Sequence, residues 1–260
     1  MGWLRLWATY IRMRIMIMLE FRAVLPFAMA NRAMGGFLAP LALAVMYGQG
    51  LQIPGWSLYE LLLLNGLFQI VLGLTDAFFF GLMSLPDMVR TGEFEGILIR
   101  PLGPLRHLLI SDFDQEGLGN LVAGVVLTIL AVAFGNLQLT WYGLALLPIF
   151  IVSGVLALLS FFTLLVTLSF WFVEVGAVIW EVRNIEQYAK NPLSVYPSVV
   201  QLALSVIVPL GIANYYPALI LLGKQIEWWM LLAPLWALVL WVIARKFFYI
   251  GLSKYSSAGG

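Results

Sequence analysis

The 260-residue chain is 62% hydrophobic and only 10% charged, with a formal net charge of +1. Soluble domains carry about 25% charged residues, and this much apolar side chain has nowhere to go in water, so a soluble globular fold is excluded. Cysteine is absent, which also excludes disulfides and thiolate chemistry. Spans of about 20 residues each would let six helices use roughly half the chain, leaving short loops and no second folded domain. The expectation is an all-α integral membrane protein.

Residues 1–26 read as an N-terminal interfacial helix, with Leu4, Trp7, Ile11, Ile15 and Met18 at helical spacing and Arg5, Thr9 and Arg12 on another face. An ordinary lead-in to the first span fits that segment equally well. It is no signal peptide, because Arg5, Arg12 and Arg14 interrupt the apolar stretch. Spans are expected at about 28–47, 57–82, 117–135, 142–170, 195–213 and 228–248. A punctuated polar segment, 83–114, follows the second, and a charged stretch with Glu174, Glu181, Arg183, Glu186 and Lys190 follows the fourth. The apolar piece 218–223 is too short to span, so 214–227 reads as a re-entrant or interfacial segment between the fifth and sixth spans. No internal repeat is visible, which weakens an inverted-repeat secondary transporter.

With six spans both termini share one side with 83–114 and 173–194. Thirteen Lys and Arg then lie on that side and only Lys224 opposite, so the positive-inside rule makes both termini cytoplasmic.

No catalytic constellation survives inspection. The single histidine, His107, reads as a loop residue, and Ser153 has no intramembrane histidine to activate it. Asp112, Asp114 and Glu116 suit a helix start better than a metal site. No Gly-x-x-x-x-Gly-Lys-Ser/Thr loop is present to cradle nucleotide phosphates, so any ATP would be hydrolysed by another subunit.

Polar residues inside spans say more. Asn65, Gln69 and Asp76 lie within about 40° of one another on a 3.6-residue helix. Facing lipid they would be costly, so the stripe should face the bundle interior or a water-filled path. Asp76 is the best single candidate for a functional intramembrane group; pairing with a neighbouring helix accounts for it equally well. Ser153, Ser160 and Thr167, and then Ser198, Gln201 and Ser205, form weaker stripes better suited to helix packing. In the polar segment, Phe94, Ile97 and Leu98 form an apolar patch beside Arg90, Glu93 and Arg100. Such an element suits docking into a partner's groove or lying on headgroups.

At that segment, Arg90-Thr91-Gly92-Glu93 and Leu98-Ile99-Arg100-Pro101-Leu102 resemble the first cytoplasmic loop of a family of ATP-binding-cassette (ABC) type-2 permeases. Gly55-Trp56-Ser57-Leu58-Tyr59-Glu60, Phe170-Trp171-Phe172-Val173-Glu174, Asn214-Tyr215-Tyr216-Pro217-Ala218 and the ending from Gly251 to Gly259 agree. The resemblance implies a single type-2 transmembrane domain over 1–260, in the bacterial inner (plasma) membrane. It implies pairing with a second copy or a homologous permease, and two ABC ATPase subunits that carry the ATP and magnesium, this chain binding no cofactor and no nucleic acid. Arg90, Thr91, Gly92, Glu93, Phe94, Ile97, Leu98 and Arg100 would form the ATPase docking element within the 83–114 cytoplasmic coupling loop. Asn65, Gln69, Asp76, Gln201 and Ser205 would line the path, with 214–227 as an external re-entrant element. The implied activity is export of an amphipathic or drug-like compound, with no catalysis by this chain. An ion-coupled carrier using Asp76 and a non-transporting scaffold are the alternatives.

Overall fold

The computed structural model describes residues 25–224 and 226–255, together with Thr9, Arg12, Met13 and Met16. Most of the expected interfacial helix therefore lies outside the described residues. Among the described residues every regular element is helical, as the composition requires. Five are long and apolar enough to cross a membrane, and a bent pair brings the count to as many as six.

Helix α1 (Leu25–Gly48) runs from what is called here the loop end of the bundle to the far end. Helix α2 (Leu58–Phe79) returns. Its start is fixed by a capping box: the Ser57 hydroxyl accepts from the Glu60 amide, and the Glu60 carboxylate accepts from the Ser57 amide at 2.7 Å. At the loop end the chain continues through a 3-10 turn (Phe80–Ser84) into α3 (Leu85–Thr91), α4 (Glu95–Leu98) and α5 (Pro104–Ser111). Helix α6 (Gln115–Phe134) crosses to the far end and α7 (Trp141–Thr167) comes back. Pro40 in α1 frees the Gly36 carbonyl, to which Gln69 of α2 donates at 3.4 Å, and a second proline, Pro148, lies inside α7.

The seam between α2 and α6 sets the closest approach in the bundle. Gly66 and Gly73 on α2 face Gly124 and Gly117 on α6, seven residues apart on each helix. A Cβ at Gly73 would meet the Gly117 carbonyl oxygen at 2.8 Å, and one at Gly124 would meet the Gly66 oxygen at 2.8 Å. Small residues at this repeat let two backbones touch, which is how apolar helices gain packing energy inside lipid.

The fifth crossing departs from the sequence reading. The sequence reading keeps residues 173–194 at the loop end, with a span at 195–213. Instead α8 (Gly176–Arg183) begins near Pro86 of α3, and Arg183 meets Asp76 near the loop end of α2. The Lys190 carbonyl then accepts from Asn65, and Ser194 accepts from the Trp56 indole at the far end. The segment therefore climbs antiparallel to α2 along nearly all of it. It does so in few residues because 3-10 turns at Asn184–Lys190 and Leu193–Val195 rise about 2.0 Å per residue, with Asn191 and Pro192 extended between them.

What was read as the fifth span is the first arm of a hairpin. Helix α9 (Ser198–Val206) is bent by 84° against the π-turn Gly211–Tyr215 and α10 (Tyr216–Leu222). Ala213 packs on Val71 of α2 through Gly154 of α7, roughly 20 Å along each helix from its far-end start at about 1.5 Å per residue. The Thr140 amide then donates to Leu221 at 2.9 Å, and Lys224 reaches Gly55, so the hairpin leaves at the end where it entered. The re-entrant feature is accordingly larger than 214–227, taking in residues 198–222. After a 3-10 turn (Trp228–Leu232), α11 (Ala233–Leu252) makes the last crossing.

Candidate functional site

At the loop end the residues expected to dock divide into two faces. Arg90, Thr91, Glu93, Leu98, Ile99 and Arg100 point outward, with Ile99 88% exposed. Gly92 sits at φ +81° and ends α3, a left-handed position that glycine adopts without strain. Phe94 and Ile97 do not belong to the outward patch in which the sequence placed them. Both are buried, Phe94 completely, against Phe170, at 5.3 Å between ring centroids, and Tyr255, also at 5.3 Å. The helical spacing put Ile97 and Leu98 on one apolar surface, but a four-residue helix presents two sides, and the aromatic cluster takes one of them.

His107 is also buried, at 5% exposure. Its Nε2 lies 2.9 Å from Arg100 Nη1; a guanidinium only donates, so Nε2 accepts and the ring is neutral. Burial first, and then the Arg100 charge, hold the imidazole below its usual 6.5. The unfolded chain thus binds the proton more readily, and this contribution to stability is complete above about pH 6.5 and declines as pH falls below it. Hydrogen–deuterium exchange, corrected for intrinsic rates, should reveal weaker protection of residues 100–111 at pH 5.5 than at pH 7.5. The His107→Gln variant should lose that difference.

The intramembrane stripe is taken up mainly by packing, with Gln69 Oε1 left without a hydrogen-bond partner among the described residues. Asn65 donates from Nδ2 to the Leu61 carbonyl and the Lys190 carbonyl, both at 2.9 Å. Gln69 donates to the Gly36 carbonyl of α1 at 3.4 Å. Asp76, 3% exposed, accepts from Arg183 Nη2 at 2.5 Å, and Arg32 of α1 approaches its other oxygen at 3.7 Å. Arg183 is itself 6% exposed, pairs through Nε with Glu186 at 3.2 Å, and lies over the rings of Phe162, Trp180 and Phe80 at 5.3, 5.5 and 5.8 Å. Two carboxylates and a three-ring aromatic collar surround a guanidinium that lipid alone could not hold, although Nη1 has no hydrogen-bond partner among the described residues. Asn214 adds a bond from the hairpin to the Ala189 carbonyl at 2.6 Å. Asn65 and Asp76 tie the fifth crossing to α2, the pairing alternative for Asp76, Gln69 ties α2 to α1, and none of the three lines the cavity.

That cavity lies at the far end, with a volume of about 1070 Å³. Of the five residues expected to line a path, it contains Gln201 and Ser205. They stand with Ser198 at i, i+3 and i+7 of α9, forming a hydroxyl-and-amide wall. An aromatic wall adjoins it: Trp56, Tyr215, Tyr216, Trp229 and Trp236, with Tyr216 reaching Ser205. Lys224 at the rim is paired with Glu60 at 2.7 Å and stacked over Trp56 at 4.6 Å. Glu227 accepts from the Trp229 indole at 3.0 Å. Trp236 Nε1 is buried without an acceptor among the described residues. Sequence reasoning missed the aromatic wall because its members come from four separate segments; the signal available was the density of Trp and Tyr in 214–236.

The remaining polar candidates have local roles. Ser153, Ser160 and Thr167 each donate to the carbonyl four residues earlier, at 2.5–2.6 Å. Asp114 caps α6, accepting from the Glu116 amide at 3.0 Å.

The described residues thus form a bundle of apolar helices with a loop-end element that has one side anchored and one side open. Comparison with curated proteins gave no match, and comparison with solved structures gave none either. The family model described as ABC-2 family transporter protein matches residues 36–259, nearly the whole chain. The chain belongs to the ABC-2 family of transporter membrane proteins, as a permease subunit of an ABC transporter.

Proposed function

We propose that this permease is half of an exporter in a bacterial inner membrane, paired with a second copy or a homologous permease and powered by two ABC ATPase subunits. The loop end is cytoplasmic. Moving Arg183 and Lys190 into the fifth crossing still leaves the Lys and Arg excess overwhelmingly on that side. The observation that carries the reading is the split loop. Leu98 and Ile99 project outward between Arg90 and Arg100 while Phe94 and Ile97 fasten the loop from beneath. An exposed apolar pair at the end of a rigidly seated turn is suited to a groove on a partner, and ATP with its magnesium stays on that partner. The cargo is amphipathic, matching a cavity with one aromatic and one hydroxyl-and-amide wall. Asp76 is a poor ion-coupling site because Arg183 already neutralises it, away from the cavity.

The decisive experiment is reconstitution with the ATPase encoded beside the permease. ATP-dependent movement of an amphipathic dye is expected, and the Leu98→Asp/Ile99→Asp double variant should reduce ATPase co-purification at least about tenfold while keeping the thermal midpoint of the permease. Dye movement driven by an ion gradient without any ATPase would refute the reading.

A further inference from the structure

The anchored side of the docking loop joins it to particular helices. Phe94 enters a socket made by Phe170, just beyond α7, and Tyr255, just beyond α11. Phe170 in turn meets Phe248 of α11 at 5.5 Å and Tyr255 at 5.8 Å. Four rings from three segments thus lock together, mostly edge-on, an arrangement that resists sliding in any one direction.

Helices α7 and α11 run away from this socket as a pair. Ala237, Ala244 and Gly251 repeat every seven residues on α11 and are buried, with Leu240 and Phe248 between them. A Cβ at Gly251 would meet the side chains of Phe170 and Thr167 at 2.8 Å each, so the α11 backbone packs directly on these two side chains at the socket. Helix α11 has no proline after its first turn and extends about 30 Å over 20 residues. Its other end supplies Ala233 and Trp236 to the far-end cavity. The start of α7 is tied to the hairpin side of the cavity: the Thr140 hydroxyl donates to the Ile220 carbonyl of α10 at 2.8 Å, and α10 contributes Tyr216 and Leu219. One stiff helix pair therefore has the docking loop at one end and two walls of the cavity at the other.

Resting on the ATPase-driven reading above, we infer that the Phe94–Phe170–Phe248–Tyr255 cluster is the joint that transmits ATPase movement to the cavity. The α7–α11 pair is the rod, and Tyr255 is a positioning residue for coupling. The polar ties between α2 and the fifth crossing then serve as the stationary frame against which the rod moves. A packed, contiguous path of this kind carries coupling when its joint holds two elements to one another.

Tyr255 is the residue to change, because it lies beyond the last helix and its loss leaves every span intact. In the reconstituted transporter, Tyr255→Ala should retain both ATPase subunits and basal hydrolysis, yet lower dye transported per ATP by about tenfold, within the usual range of coupling effects. Tyr255→Phe should stay within about twofold of the parent, because the ring makes the contact and the hydroxyl has no partner among the described residues. The chain has no cysteine, so Leu235→Cys, 58% exposed at the cavity end of α11, accepts a single environment-sensitive fluorophore. Its nucleotide-dependent change should be present in the parent and lost in Tyr255→Ala. Retention of that change together with the parental transport ratio would overturn the inference. So would release of the ATPase subunits by Tyr255→Ala, since the ring would then be holding the docking surface only. A parent chain that binds no ATPase subunit fails at the earlier step and removes the function itself.

Discussion

Asp76→Ala should be among the most damaging single substitutions in the bundle, at about 3–5 kcal/mol, the usual consequence of removing one partner from a buried ion pair. Arg183 is 6% exposed and already takes part of its charge balance from Glu186. With Asp76 gone, Nη2 loses its 2.5 Å bond, and Arg32, on the α1 side, loses its 3.7 Å contact. The fifth crossing would then hold to α2 chiefly through Asn65 and Ser194 at its upper part. Asp76→Asn should be milder, keeping an acceptor but no charge. The double variant Asp76→Leu/Arg183→Met should recover most of the loss, because well-packed apolar residues often replace a buried pair without penalty. Thermal unfolding in detergent, followed by size-exclusion fluorescence, gives the ordering. An Asp76→Ala midpoint equal to the parent's would mean that the pair does not hold the crossing.

The same network explains how far the sequence could be read. Five crossings announced themselves by hydropathy, and the α2 stripe was visible from spacing alone. The fifth crossing was not, because a hydropathy window counts Glu181, Arg183, Glu186 and Lys190 as four unpaired charges. Inside the bundle Arg183 is neutralised by Asp76, more than a hundred residues earlier, and by Glu186 one turn away. Neutralisation by a distant partner leaves no mark on the local pattern. The hairpin was displaced for a complementary reason. Residues 195–213 are apolar enough to span, but Pro209 and the π-turn at Gly211–Tyr215 fold them back, and the contacts that decide this come from Thr140 and Gly55. Likewise Phe94 read as an exposed anchor until Phe170 and Tyr255, from two other segments, were found to cover it.

Gly73→Ala should cost about 2 kcal/mol despite adding a single methyl group, because overpacking a tight seam usually costs 1–3 kcal/mol. The new Cβ would meet the Leu121 amide and the Gly117 oxygen, both backbone atoms that no rotamer change can move. Relief requires α2 and α6 to separate, and that movement also opens the matching contact between Gly66 and Gly124 one repeat away. Gly73→Leu should therefore abolish a folded monodisperse peak. Gly35→Ala is the control: a Cβ there meets nothing within 4 Å, so only helix propensity changes, which favours alanine by up to about 1 kcal/mol. The contrast separates packing from propensity in one pair of melts. If Gly73→Ala and Gly35→Ala shift the midpoint alike, the α2–α6 seam is looser than its backbone contacts require. If they diverge, the seam belongs to the frame, and movement during transport must be taken up by the helices that carry no such contact with α2.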